Sequence, residues 1–244
     1  MRRLLASILC LAMTTAAPAE TITISAEPIS AFDRLAPTRS FGPFTWRGGL
    51  TLTSPAPDFG GLSEWPLDHV VKVLCFCHPD DDVAMRDAQE AVVQRLFASA
   101  RRNRLEFLLE IIPSKVGPVD DQTNARLIQR FYDIGVSPDW WKLEPLQSDA
   151  AWSATVAAIE ANDPHTRGIV VLGLGQTEDE LAASFRLAAH YPLVRGFAVG
   201  RTIFAKAAAE WMAGRMDDRA AVQDMVENFR RLCTIWDAAR GEAQ

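Results

Sequence analysis

The chain has 244 residues, 48% of them hydrophobic, enough for a real core in one large domain or two small ones. A formal net charge of −6, with no Lys/Arg cluster interleaved with aromatics, argues against a nucleic-acid partner. Only Lys72, Lys115, Lys142 and Lys206 are lysines, the remaining cations being arginines, so a lysine inside a strand is informative.

Residues 1–19 open with Arg2 and Arg3, continue through an apolar run at 4–13 and end in Ala17-Pro18-Ala19. That pattern predicts a secretory signal peptide, too short to span a bilayer, so the mature form is expected to carry no membrane anchor. Cys10 falls in this leader, leaving Cys75, Cys77 and Cys233, an odd set that does not suggest a disulfide framework. Residues 20–63 alternate polar and apolar (Thr21-Ile22-Thr23-Ile24), are rich in Pro, Gly, Ser and Thr, and predict a short β-rich segment.

From residue 64 to 244 the texture changes. Apolar runs of strand length recur at 70–76, 105–112, 140–143, 168–174 and 194–199, with helical stretches between them. Val92, Val93, Leu96 and Phe97 share one helical face, as do Leu127, Ile128, Phe131 and Tyr132 ahead of Gly135, a natural helix stop. Asp80 to Asp82 can cap the helix after the first strand, Thr177 and Glu180 form a capping-box pattern, and Asp217 or Asp218 can cap the last helix. Repeated strand–helix units predict an α/β protein with parallel strands buried on both faces. A closed barrel needs eight strands, whereas an open doubly wound sheet suits five, and the residues alone leave both open.

Read with period two, Val70, Lys72 and Leu74 share a face of the first strand, Glu106, Leu108, Glu110 and Ile112 a face of the second, and Trp140, Lys142 and Glu144 a face of the third. Lys72, Glu110, Lys142 and Glu144 can therefore converge. Burying such groups is costly unless they are paired, so one expectation is a structural network of Lys72 with Glu110 and Lys142 with Glu144. The other is amine chemistry: a desolvated lysine close to a second cation loses its proton readily and attacks a carbonyl to form a Schiff base, with a carboxylate moving protons.

Two strands end in glycine, at Gly173 and at Gly200 followed by Arg201, and glycine-rich ends of this kind can hold a phosphate with an arginine clamp. Cys75, Cys77, His78 and the acidic run after them lack a second ligand cluster, so no metal is expected. His165 reads as a loop residue, and no hydrolase triad or G-x-S-x-G elbow is present.

The segments VVKVLCFCHPDDD, LEFLLEIIPSK, DWWKLEP, RGIVVLGLG and VRGFAVGRTIF together resemble the C-terminal aldolase-like domain fused to bacterial 5-dehydro-2-deoxygluconokinase in myo-inositol breakdown. That domain is similar to class I aldolases acting on tagatose bisphosphate or 2-deoxy-5-keto-gluconate 6-phosphate. The resemblance implies a (β/α)8 TIM barrel, here partial, with about five of eight strand–helix units. It also implies cleavage of a phosphorylated keto-sugar acid to dihydroxyacetone phosphate and malonate semialdehyde without a cofactor. By position it makes Lys142 the Schiff-base lysine, Lys72 the second lysine, Glu110 the proton-handling carboxylate, Glu144 a supporting one, and Gly173, Gly200 and Arg201 the phosphate site. Upstream, FGPFTWRGGLTLTSPAPDFGGLS resembles the start of secreted esterase-like phytase proteins. The expected organisation is therefore 1–19 signal peptide, 20–63 β-rich segment and 64–244 partial barrel. The leader points to the periplasm or beyond, the barrel family to the cytoplasm, and homo-oligomerisation stays open. The alternative is a non-catalytic barrel module associated with a sugar kinase.

Overall fold

The structure, a computed structural model, describes residues 59–242 other than Leu174. The expected leader at 1–19 and residues 20–58 of the expected β-rich segment lie outside the described residues. At the described end of that segment, Gly60–Glu64 forms a 3-10 turn.

Among the described residues, five strands alternate with helices: β1 (Val70–Cys75), α1 (Val83–Arg102), β2 (Glu106–Ile111), α2 (Thr123–Asp133), β3 (Trp140–Leu143), α3 (Asp149–Asn162), β4 (Gly168–Leu172), α4 (Glu178–Ala188), β5 (Val194–Ala198), α5 (Arg201–Met212) and α6 (Asp218–Glu242). This is an α/β protein built as part of a (β/α)8 barrel. The chain divides between Ile169 and Val170 into two compact units.

In the first unit β1 pairs with β2 and β2 with β3, all parallel, and the register sets Lys72 beside Leu108, Leu108 beside Trp140, and Glu110 beside Lys142. Val71, Val73, Phe107, Leu109, Ile111, Trp141 and Leu143 form a face that is at most 2% exposed. Helices cover it: the Phe97 ring of α1 meets Phe107 edge-on at 5.4 Å, and Phe131 of α2 lies 6.2 Å from Trp141. Removing each such side chain from water stabilises the fold by about 1.5–3 kcal/mol. The opposite face, which carries Val70, Lys72, Leu74, Glu106, Leu108, Trp140 and Lys142, is only partly buried. For β1, β2 and β3 the expectation of strands buried on both faces is thus corrected, whereas β4, with Gly168, Ile169, Val171 and Leu172 buried, meets it. The first three strands alternate inside and out because the helices found against them cover one face.

Asp139, just before β3, ties the N-terminal ends of the strands together. Its Oδ2 accepts from the Phe107 N–H and from Arg101 Nη1, both at 2.7 Å, while its carbonyl accepts from the Arg167 N–H at 2.8 Å. Asp82 caps α1 by accepting from the Ala84 and Met85 N–H groups. Gly135 ends α2 at φ +81°: its N–H donates to Tyr132 O and that of Val136 to Phe131 O, both at 2.9 Å, the two bonds of a Schellman motif.

In the second unit Thr177 and Glu180 complete the capping box of α4, and the Asp217 carboxylate accepts from the Ala220 N–H at the start of α6. Phe185 of α4 stacks on Phe197 of β5 at 5.0 Å and meets Trp236 of α6 edge-on at 5.4 Å. Arg240 of α6 donates to the carbonyls of Ala189, at the end of α4, and of Val194, where β5 begins. It thereby satisfies a carbonyl that the helix end leaves open.

Replacing Gly135 by Ala isolates one backbone effect, since an added Cβ there meets nothing within 4 Å. Urea unfolding should show a loss of about 1–2 kcal/mol, the cost of the left-handed conformation for a residue with a side chain.

Candidate functional site

Three of the expected site residues meet on the partly buried face of the first unit. Glu110, with a side chain 7% exposed, presents one carboxylate oxygen to Lys72 Nζ and the other to Lys142 Nζ, the latter at 3.2 Å. Neighbouring parallel strands in register bring this about: Glu110 lies beside Lys142 across β2 and β3, and Lys72 is one step back on β1. Burial by itself would raise the Glu110 carboxyl, but the attraction of Lys72 and Lys142 and the hydrogen bonds from both bring it below the ordinary carboxylate value. Burial depresses Lys142, and the Lys72 charge adds to that, partly opposed by Glu110. A lysine near both a carboxylate and a second amine, with a weakened hold on its proton, is equipped to act as a nucleophile.

Glu144 does not join this group. It follows the end of β3 and is 5% exposed, its Oε1 accepting from the Ser114 N–H at 3.1 Å and its Oε2 from the Ser114 hydroxyl. The pairing of Lys142 with Glu144 expected for a structural network is therefore corrected. In-register pairing gives Lys142 to Glu110, whereas Glu144, beyond the ladder, is bound to the turn after β2. Sequence reasoning missed Ser114, because nothing near it in the chain marks a partner 30 residues away.

His78 is a tie between loops. Its Nε2 bonds the Pro118 carbonyl at 2.9 Å, and its Nδ1 accepts from the Asp80 N–H at 3.2 Å, so both nitrogens are used. Cys75 and Cys77 are buried thiols. The Cys77 thiol is held well above its usual value by its interaction with Cys75 and by burial. Among the described residues no group of three or more His, Cys, Asp or Glu could hold a metal.

The expected phosphate residues belong to the second unit. Gly173 follows β4, and its lack of a side chain has a packing reason, since a Cβ there would come within 2.8 Å of Val199 Cγ1. Gly200 is the N-cap of α5 without a side-chain capping bond, and Arg201 is the first, exposed residue of that helix. Leu174, inside the same glycine-rich stretch, lies outside the described residues. No helix among the described residues is long and apolar enough to cross a membrane.

The strand–helix repeat defines part of a (β/α)8 barrel, and a solved structure shares that fold. Fructose-bisphosphate aldolase from Plasmodium falciparum, in a ternary complex with TRAP and a small-molecule inhibitor, aligns with a TM-score of 0.50 and 17% identity, over 72% of this chain and 58% of that one. A protein from Corynebacterium glutamicum aligns with a TM-score of 0.43 and 22% identity, over 62% of this chain and 50% of that one. The chain thus spans between half and three-fifths of the length of these proteins. Comparison with curated proteins gives no match. Residues 47–240 match the family described as uncharacterized protein conserved in bacteria (DUF2090), and the chain belongs to that family.

Exchanging Glu110 for Gln leaves two neighbouring ammonium groups uncompensated and should cost about 3 kcal/mol at pH 7. A carboxyl whose folded value is depressed stabilises the fold above its unfolded value, near pH ~4.3, and loses that contribution as pH falls through the folded value. Urea unfolding at several pH values should therefore show the two proteins converging below about pH 4.

Proposed function

We propose that the first unit carries a class I, Schiff-base aldolase site acting on a phosphorylated keto-sugar acid of the 2-deoxy-5-keto-gluconate 6-phosphate kind, the substrate of myo-inositol breakdown. The observation that carries this reading is the shared carboxylate: Lys72 and Lys142 both lie on Glu110, and burial weakens the hold of Lys142 on its proton. The aldolase-like fold adds support of a general kind.

In the proposed reaction Lys142 Nζ, having given up its proton, forms a bond to the keto carbon, and the carbonyl oxygen leaves as water. The resulting iminium takes up the electron pair of the breaking carbon–carbon bond, so that one fragment remains as an enamine on Lys142. The hydroxyl on the adjoining carbon loses its proton and becomes the aldehyde of the other fragment, with Glu110 as the proposed acceptor. Protonation of the enamine carbon and addition of water then free the ketone fragment and the amine. Lys72 would keep a positive charge beside Lys142, favouring the neutral amine. Glu144 would act through Ser114, holding the turn after β2. The anion-holding role of Gly173, Gly200 and Arg201 rests on the uncapped N-terminus of α5.

The second reading is a non-catalytic module associated with a sugar kinase, favoured by the full use of the Glu110 carboxylate by two lysines. Borohydride added with dihydroxyacetone phosphate separates the two. On an aldolase site, mass spectrometry finds a reduced adduct on the peptide containing Lys142, and Lys142→Ala removes it. Absence of any adduct on folded wild-type protein, together with a Lys142→Met variant at least as stable as wild type, establishes the structural reading instead.

A further inference from the structure

The proposed amine chemistry depends on how water is kept from Lys142, and the strand face beneath it carries a second set of polar contacts. Trp140 precedes Lys142 by two residues on β3, so its indole shares the Lys142 face one step, about 6.7 Å, nearer the N-terminal end of the strand. It lies in register with Leu108, just as Lys142 does with Glu110. Its Nε1–H donates to Glu106 Oε2 at 2.8 Å, and the other oxygen of Glu106 takes the Arg167 guanidinium, also at 2.8 Å. Glu106 precedes Leu108, the register partner of Trp140, by two residues on β2, so the acceptor comes from the N-terminal end of the ladder, whereas Glu110 and Lys142 lie toward the other end.

Side-chain exposure falls steadily along this face. It is 56% at Arg167, 29% at Glu106, 14% at Lys142 and 7% at Glu110. The indole stands between the wet end and the dry end. With its N–H satisfied from below, it can present ring carbon upward without leaving a buried donor unpaired.

We propose that Glu106 is a positioning residue, which, backed by Arg167, holds the Trp140 indole as the floor of the Lys142 amine pocket and keeps water out from the N-terminal end of the strands. This rests on the aldolase reading for its purpose, but not for its test. The charged groups on this face are Lys72 of β1, Glu106 and Glu110 of β2, Lys142 of β3, and Arg167. Removing the Glu106 charge from this set would by simple Coulomb attraction make the Lys142 ammonium easier to deprotonate. Opening the floor would rehydrate the ammonium and make it harder to deprotonate. The two effects have opposite signs, which allows position to be told from charge.

The measurement is acetylation of the full-length chain with trace acetic anhydride across pH 6 to 11, read by mass spectrometry on the peptide containing Lys142, with circular dichroism to check folding. Glu106→Ala should move the labelling midpoint upward by on the order of one pH unit, a roughly tenfold smaller fraction of free amine at neutral pH. Glu106→Gln makes the same change in charge but retains an oxygen for the Trp140 N–H, and should leave the midpoint near wild type or slightly lower. A Glu106→Ala midpoint that stays or falls overturns the proposal. Should that variant not fold, Trp140→Phe, which keeps a ring but loses the donor, must show the upward move, and its absence overturns the proposal equally. An upward move in a protein that gives no borohydride adduct with dihydroxyacetone phosphate upholds the floor and rejects the aldolase reading, so the two fail separately.

Discussion

The Glu110 carboxylate, held between the ammonium groups of Lys72 and Lys142, is the interaction around which the first unit is arranged. Two like charges on β1 and β3, either side of β2 on a partly buried face, repel each other and lose hydration, and only an anion between them makes the arrangement tolerable. One carboxylate shared by two lysines leaves a net positive charge. Burial, with the Lys72 charge adding to it and Glu110 opposing it, lowers the affinity of Lys142 for its proton.

The backbone holds this trio with little freedom. Parallel pairing without a bulge sets Glu110 beside Lys142, and a slip of one residue would turn every charge toward the helices. Helices α1 and α2 prevent that slip by burying Phe107, Leu109, Ile111 and Trp141, the alternate residues of the same strands. Asp139 locks the N-terminal end, binding β2 and Arg101 of α1 through its carboxylate and the residue before β4 through its carbonyl. Glu144 performs a similar service at the other end through Ser114. Apolar contacts on one face and carboxylates at both strand ends thus fix which face carries Lys72, Glu110 and Lys142.

Much of this was legible in the chain. The five apolar runs match the five strands among the described residues to within two residues at each end, because strand-length runs separated by helical periodicity and capping residues are local signals. Gly135, Asp82 and the pair of Thr177 and Glu180 perform the helix-ending and helix-starting tasks their types suggest. The period-two reading placed Lys72, Glu110 and Lys142 on common faces. Partner choice was less legible: Lys142 has Glu144 two residues away in the chain but is bonded to Glu110 on the adjacent strand. Asp139, Ser114 and Arg167 gave no local sign of their importance, since each acts on groups some 30 to 60 residues distant in sequence.

By itself, the sequence determined the alternation of strands and helices, their ends, and which strand residues share a side, because hydrophobic period, capping and glycine are properties of a few neighbouring residues. The tertiary structure alone decided which of the two sides the helices would cover, that Glu110 rather than Glu144 would serve both lysines, and that Glu106 would take the Trp140 indole. Those outcomes depend on strand register and on groups meeting across the fold. Burial and charge act there through space, at distances the order of residues along the chain does not encode.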